Sequence, residues 1–152
     1  AVAGRPVDDP HALKFRIATL PVGGTADLRA WRRGSERQVT LKLVAPPEEP
    51  PRDTTEIGGT NPLAGATVAN MSPALAEELG LDPAPEGVFV IELRRGAAAI
   101  RLGFRPGDRV LAINGEEIAA VRQLAEVLAR PAERWRVSLS RAGKVLNWVI
   151  EK

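Results

Sequence analysis

Between Arg101 and Ile118 the chain reads RLGFRPGDRVLAINGEEI, and this stretch constrains the fold more than any other. Leu102 closes a short helix and Gly103 takes the positive φ that ends it. Pro106-Gly107-Asp108 then turns the chain into the apolar strand Val110-Leu111-Ala112-Ile113. Asn114-Gly115 reverses direction again, because that pair adopts left-handed dihedrals at low cost. A helix end, a tight turn, a strand and a second turn follow without a spare residue, which implies a compact fold of short strands.

The same grammar occurs earlier. Ala1-Val2-Ala3-Gly4-Arg5-Pro6-Val7 aligns with Ala112-Ile113-Asn114-Gly115-Glu116-Glu117-Ile118 at an offset of 111 residues, with Ala3 in the place of Asn114. Leu13 falls on Leu124 and Ile17 on Leu128. After a gap, TADLRAWRRGSERQVTLKLV parallels ERWRVSLSRAGKVLNWVIE. Each copy reads turn, helix, strand, hairpin, strand. In the first, Asp8 or Asp9 caps a helix that starts on Pro10 and runs to about Thr19. Its Leu13, Ile17 and Leu20 form an apolar stripe that needs a surface to bury against. Gly34-Ser35 is expected to turn the following hairpin. Such a half-unit near 45 residues lies close to the size at which lone domains need help. It is therefore expected to be completed from outside itself, by another chain's first half or by the second domain.

Residues 46–60 carry prolines at 46, 47, 50 and 51 and no apolar period, so they read as a semi-rigid linker between residues 1–45 and 61–152. From Asn61 a complete unit unfolds along the sequence. Ser72-Pro73 starts a helix that Gly80 stops, and Val88-Phe89-Val90-Ile91 suits a central strand. Gly96 to Leu102 is a short helix, and a further helix runs from Ala119 to about Arg130. A hairpin from Trp135 to Ile150 ends the chain. The span 61–152 predicts five or six strands and two or three helices.

Catalytic chemistry is hard to find. The only histidine is His11, and none of the serines at 35, 72, 138 and 140 lies in a nucleophile motif. There is no cysteine, which removes disulfides and thiolate zinc sites. Glu77-Glu78 and Glu116-Glu117 sit where solvent is expected, without an apolar pocket to raise a pKa. With 21 basic and 19 acidic residues the net charge is +2, so no strong field draws nucleic acid or an anionic membrane. No window is long and apolar enough for a membrane helix. No cofactor and no metal are expected.

What remains is an interaction surface. In Leu63-Ala64-Gly65-Ala66 a glycine lets successive amides converge on an anion, and the strand Thr67-Val68-Ala69-Asn70 offers an edge to an extended peptide. Val121, Ala125 and Leu128 share one helix face and are expected to line the facing wall, with Leu124 and Val127 turned to the core.

The series G-F-x-P-G-D-x-h-x-x-h-N-G at residues 103–115, h being apolar, resembles the signature of bacterial PDZ domains. That resemblance implies an α+β, mainly β fold, a partly open β-sandwich or barrel capped by helices, preceded by an incomplete second copy. It also implies that Leu63 to Ala66 is the loop that seats a peptide's C-terminal carboxylate. Two copies in series, together with PLAGATVANMSPALAEELGL, resemble the C-terminal region of Do-like (high-temperature-requirement-A) periplasmic serine proteases. In that family a trypsin-like domain precedes two PDZ domains, one presenting substrates and one helping oligomers assemble. The resemblance implies a non-catalytic region beginning inside a first PDZ domain, a periplasmic setting, protein quality control, and unfolded or C-terminal peptide segments as partners. A scaffold or assembly module of a non-protease envelope protein, with a vestigial groove, is the alternative, and Ala64 and Ala66 stand where bulkier residues are common.

Overall fold

A computed structural model describes residues 1–81 and 84–151. The chain divides into two compact units, Ala1–Pro46 and Pro47–Lys152.

In the first unit, α1 (Pro10–Ala18) starts where Asp9 accepts a hydrogen bond from the Ala12 amide at 2.8 Å. A hairpin of β1 (Thr25–Arg32) and β2 (Ser35–Lys42) pairs in register along its length. Its turn residues are Arg33 and Gly34, at φ 53° and 78°. The turn therefore sits one residue before the expected Gly34-Ser35, because a two-residue turn of this hand needs positive φ at both central positions. Val2 and Ala26 are the buried hydrophobic residues described in this unit, while Leu13, Ile17 and Leu20 are half-buried.

In the second unit, β3 (Thr55–Glu56), β4 (Ala66–Asn70), α2 (Pro73–Glu78), β5 (Val88–Leu93), α3 (Ala98–Arg101), β6 (Arg109–Ile113), β7 (Glu116–Glu117), α4 (Val121–Ala129), β8 (Arg134–Arg141) and β9 (Lys144–Glu151) follow in order. The strands form one antiparallel sheet in the order β3-β4-β5-β6-β8-β9, with β7 folded back on β6. Strand β5 is apolar on both faces because each face meets a core. Val88 and Val90 enter the main core with Leu63, Val110, Ile113, Leu124 and Leu139, whereas Phe89 joins Met71, Leu75 and Ala76 beneath α2. Ser72 caps α2 by accepting from the Leu75 amide, with Pro73 in the first turn.

The buried turn at Asp108 ties the start of β6 to the end of β8. Its carboxylate, fully shielded from solvent, accepts from Arg141 Nε and Nη2 at 2.6 and 2.7 Å and from the Arg105 amide at 2.9 Å. Arg141 also donates to the Gly103 carbonyl and lies over the Trp148 ring, which forms a T-shaped contact with Phe104.

The internal repeat extends to backbone detail. Helices α1 and α4 both have 9 residues, and all four hairpin strands have 8. Ala3-Gly4 adopts φ 45° and 77°, matching Asn114-Gly115 at 51° and 85°. The Ala3 amide donates to Asp27 O at 2.9 Å as the Asn114 amide donates to Arg136 O at 2.8 Å.

Residues 47–60, read from the sequence as a linker, fall in the second unit. They pack within the second unit, with Ile57 only 4% exposed in its core and the Arg52 carbonyl accepting from the Asn70 amide. Within this segment Thr55–Glu56 form the strand β3, beyond the prolines.

Candidate functional site

The loop Leu63-Ala64-Gly65-Ala66 is built around Gly65. At φ +81° it occupies the left-handed region, and a Cβ there would stand 2.4 Å from that of Ala97. A side chain is excluded on both counts, so the loop backbone closes tightly over the start of α3. The Gly65 carbonyl is fixed from the other side by the Arg94 amide at 2.8 Å.

Every amide of this loop has an acceptor from its own chain. Leu63 N–H donates to Asn61 Oδ1 and Ala64 N–H to the Asn61 carbonyl, while Ala66 N–H donates to the Leu63 carbonyl. Gly65 N–H donates to the Ile57 carbonyl at 2.7 Å, and Ile57 N–H returns a bond to Ala66 O at 2.8 Å.

Those bonds belong to a longer pairing. Thr55 stands opposite Val68 and Glu56 opposite Thr67, so β3 runs antiparallel along the β4 edge predicted to be open. Upstream, the Arg52 carbonyl accepts from Asn70 N–H at 2.7 Å, and the Pro47 carbonyl accepts from Ala74 N–H. Arg52 bridges the carboxylates of Glu48 and Glu78, and Ser72 Oγ donates to Glu48 at 2.8 Å. The Arg52 hydrogen bond holds both carboxyls below their usual range, with Ser72 adding to the effect on Glu48; in return Glu78 and then Glu48 raise the guanidinium's pKa.

Asn70 joins three parts of the site. Its side chain is 4% exposed; Oδ1 accepts from the Val121 amide at 2.8 Å at the start of α4, and Nδ2 donates to the Pro51 carbonyl at 2.8 Å. Helix α4 has no side-chain cap from its own N-cap residue, Ala120, so Asn70 supplies that acceptor across the fold.

The residues predicted for the site fall into two groups. Leu63, Ala66, Val68, Ala69, Val121 and Leu128 have buried side chains and serve as framework. Ala64, Thr67 and Ala125 are half-buried, and Gly65 and Asn70 act through the bonds above. On α4, Val121, Leu124, Val127 and Leu128 are all buried. Between β3 and the C-terminal half of α4 lies an open cleft of about 790 Å³, with Thr55, Ile57 and Gly58 on one wall and Ala125, Leu128 and Ala129 on the other. Sequence reasoning missed Arg52, Ile57 and Asn61. The available signal was Thr54-Thr55-Glu56-Ile57, a short β-branched run beyond the prolines.

Among the described residues no group of His, Cys, Asp and Glu could hold a metal ion, and no helix is long and apolar enough to cross a membrane.

Relatives were found along the whole chain. It is 26% identical over 154 residues to the probable periplasmic serine endoprotease DegP-like of Chlamydia muridarum, covering 100% of this chain and 29% of the relative. It is 26% identical over 125 residues to the periplasmic serine endoprotease DegP of Escherichia coli K12, covering 82% of this chain and 23% of that protein. The chain thus spans less than a third of these relatives. Among solved structures, an HtrA-type protease AlgW with decapeptide aligns with a TM-score of 0.50 and 31% identity, over 57% of this chain and 27% of that one. The PDZ domain model matches residues 55–139, beginning at the first residue of β3. That match takes in more than half of the chain, together with the carboxylate loop, β4 and α4, and the chain belongs to the family of PDZ domains, the peptide-binding and non-catalytic part of the proteases it resembles.

Proposed function

We propose that the second unit binds extended polypeptide segments that end in, or carry, an aliphatic residue, in the groove made by Leu63 to Ala66, Thr67 to Asn70 and the helix face at Val121, Ala125 and Leu128. The observation that carries this reading is the mutual bonding of Ile57 with the loop. A branched aliphatic side chain is buried there while its backbone pairs with Gly65 and Ala66, which is how an extended ligand would be held. Burial of such a side chain contributes roughly 1.5–3 kcal/mol before the cost of ordering the segment.

In this reading the chain is the regulatory region of a longer periplasmic serine endoprotease, acting in protein quality control and helping its oligomers assemble. The relatives' names and their greater length support that setting. The first unit is then the C-terminal half of a preceding PDZ domain, as the matching lengths and turn geometry of α1-β1-β2 and α4-β8-β9 support. The commitment of every loop amide to the chain itself favours a second reading, an assembly module whose groove serves only its own segment.

The test is fluorescence anisotropy with a peptide library in free-carboxylate and amidated forms. Ala125→Glu places a charge on the cleft wall and is expected to weaken binding at least tenfold, with the circular dichroism spectrum unchanged. Unaltered affinity removes the groove from consideration, and no binding of either form by the parent chain favours the assembly module.

A further inference from the structure

We infer that residues 52–57 are an intramolecular ligand of the PDZ groove, a displaceable strap that reports the class of peptide the groove accepts and limits access to it. The inference rests on the peptide-binding reading above and extends it.

Three observations carry it. First, the strap occupies a ligand's positions: it runs antiparallel to β4, and Ile57 is at once backbone-bonded to the loop and buried as an aliphatic anchor, with Thr55 two residues before it. Second, the strap is thinly attached at its groove end. Strand β3 is a two-residue strand, Gly58-Gly59 follows with Gly59 at φ +84°, and Pro50-Pro51 precedes Arg52, so stiff and pliant segments bracket the pairing. Third, its outer side is uncovered, because the cleft of about 790 Å³ separates it from α4. A strand buried as permanent framework would be packed on that side, as β4 is by β3 and β5. The groove therefore prefers an extended segment with a branched aliphatic anchor at the position of Ile57. An incoming peptide gains only the difference between its own contacts and those of the strap, so this contact lowers apparent affinity without changing the site.

The experiment uses the full chain with Glu56→Cys and Thr67→Cys. These residues face each other across an antiparallel pair flanked by the hydrogen-bonded Ile57–Ala66 pair, where Cα atoms lie about 4.5 Å apart, within disulfide range. The chain contains no other cysteine, so oxidation locks the strap and reduction frees it. The probe is the hexapeptide Arg-Asp-Thr-Thr-Glu-Ile with a free carboxylate, the strap's own sequence. In the reduced chain, hydrogen-exchange protection of the Gly65 and Asn70 amides, both bonded to the strap, is expected at least tenfold below that of the Val90 amide in the sheet interior. Oxidation is expected to raise both to the Val90 value and to weaken hexapeptide binding at least tenfold. Equal protection at all three amides in the reduced chain overturns the inference, since the strap would open only with the whole unit. Binding unaffected by oxidation also overturns it and puts the peptide on the outer edge of β3. Low protection with no binding in either state upholds strap release and instead removes the peptide-binding reading.

Discussion

Replacing Arg141 with methionine is expected to destabilise the second unit by about 3 kcal/mol. Asp108 is 0% exposed, and its two oxygens receive Arg141 Nε and Nη2 at 2.6 and 2.7 Å, leaving the Arg105 amide as the other donor. Methionine keeps much of the aliphatic stem but leaves a buried carboxylate with one backbone hydrogen bond. Breaking a buried pair from one side costs roughly 3–5 kcal/mol. The lower end applies because the Arg141 side chain is 26% exposed, so water already reaches the guanidinium and can reach the hole it leaves. Urea unfolding followed by tryptophan fluorescence in a Trp31→Phe background reads this unit, since Trp135 and Trp148 both lie in it. With a slope of about 1–3 kcal/mol/M, the midpoint should fall by 1 M or more at unchanged slope. Asp108→Asn combined with Arg141→Met should recover part of the loss, because the neutral amide needs no counter-ion. A single variant within 1 kcal/mol of the parent would refute the argument that this pair fixes the turn.

Asn70→Ala orphans the buried Val121 amide and should cost about 1–3 kcal/mol by the same assay; a neutral result would show that α4 finds another cap. Gly65→Ala combines a left-handed alanine with a collision at Ala97 and should cost about 2–4 kcal/mol; retained stability would mean that the loop relaxes freely. Arg52→Ala tests the carboxylate clamp through the pH dependence of melting temperature. Glu48 and Glu78 have lowered pKa values in the folded state, so their stabilisation is present above the ordinary carboxylate range and is lost as pH falls through the depressed values. The parent-minus-variant difference should therefore be positive at neutral pH, shrink with added salt and vanish on acidification; a difference that grows in acid would contradict the assignment.

Much of the fold was legible because its turns depend on particular residues. Asn114-Gly115, Pro106-Gly107-Asp108 and the proline-started helices at Pro10 and Pro73 announce backbone states that few other residues adopt. The strap was not legible, because its hold on β4 is mostly backbone to backbone and its single apolar anchor, Ile57, has no periodic companions. Its polar clamp joins Arg52 to Glu78, a pairing that no local spacing announces. Asn70 read as one more ladder residue, whereas its side chain caps a helix 51 positions later in the chain. Spacing on α4 announced an apolar stripe, and Val121, Leu124, Val127 and Leu128 are buried along it.

The course of residues 47–57 also has a mechanical side. The segment begins at the unit boundary after Pro46 and meets the carbonyl contact of Pro47, then the Arg52 clamp, then the short ladder, and last the Ile57 anchor. Tension entering through Pro46 would load these contacts one after another, as in peeling tape, instead of all together as in shear. Peeling yields at low force because only one bond bears the load at a time. The covalent path from the first unit thus runs through the strap, and a pull along it would reach the Pro47, Arg52 and β3 contacts before the Ile57 anchor in the main core.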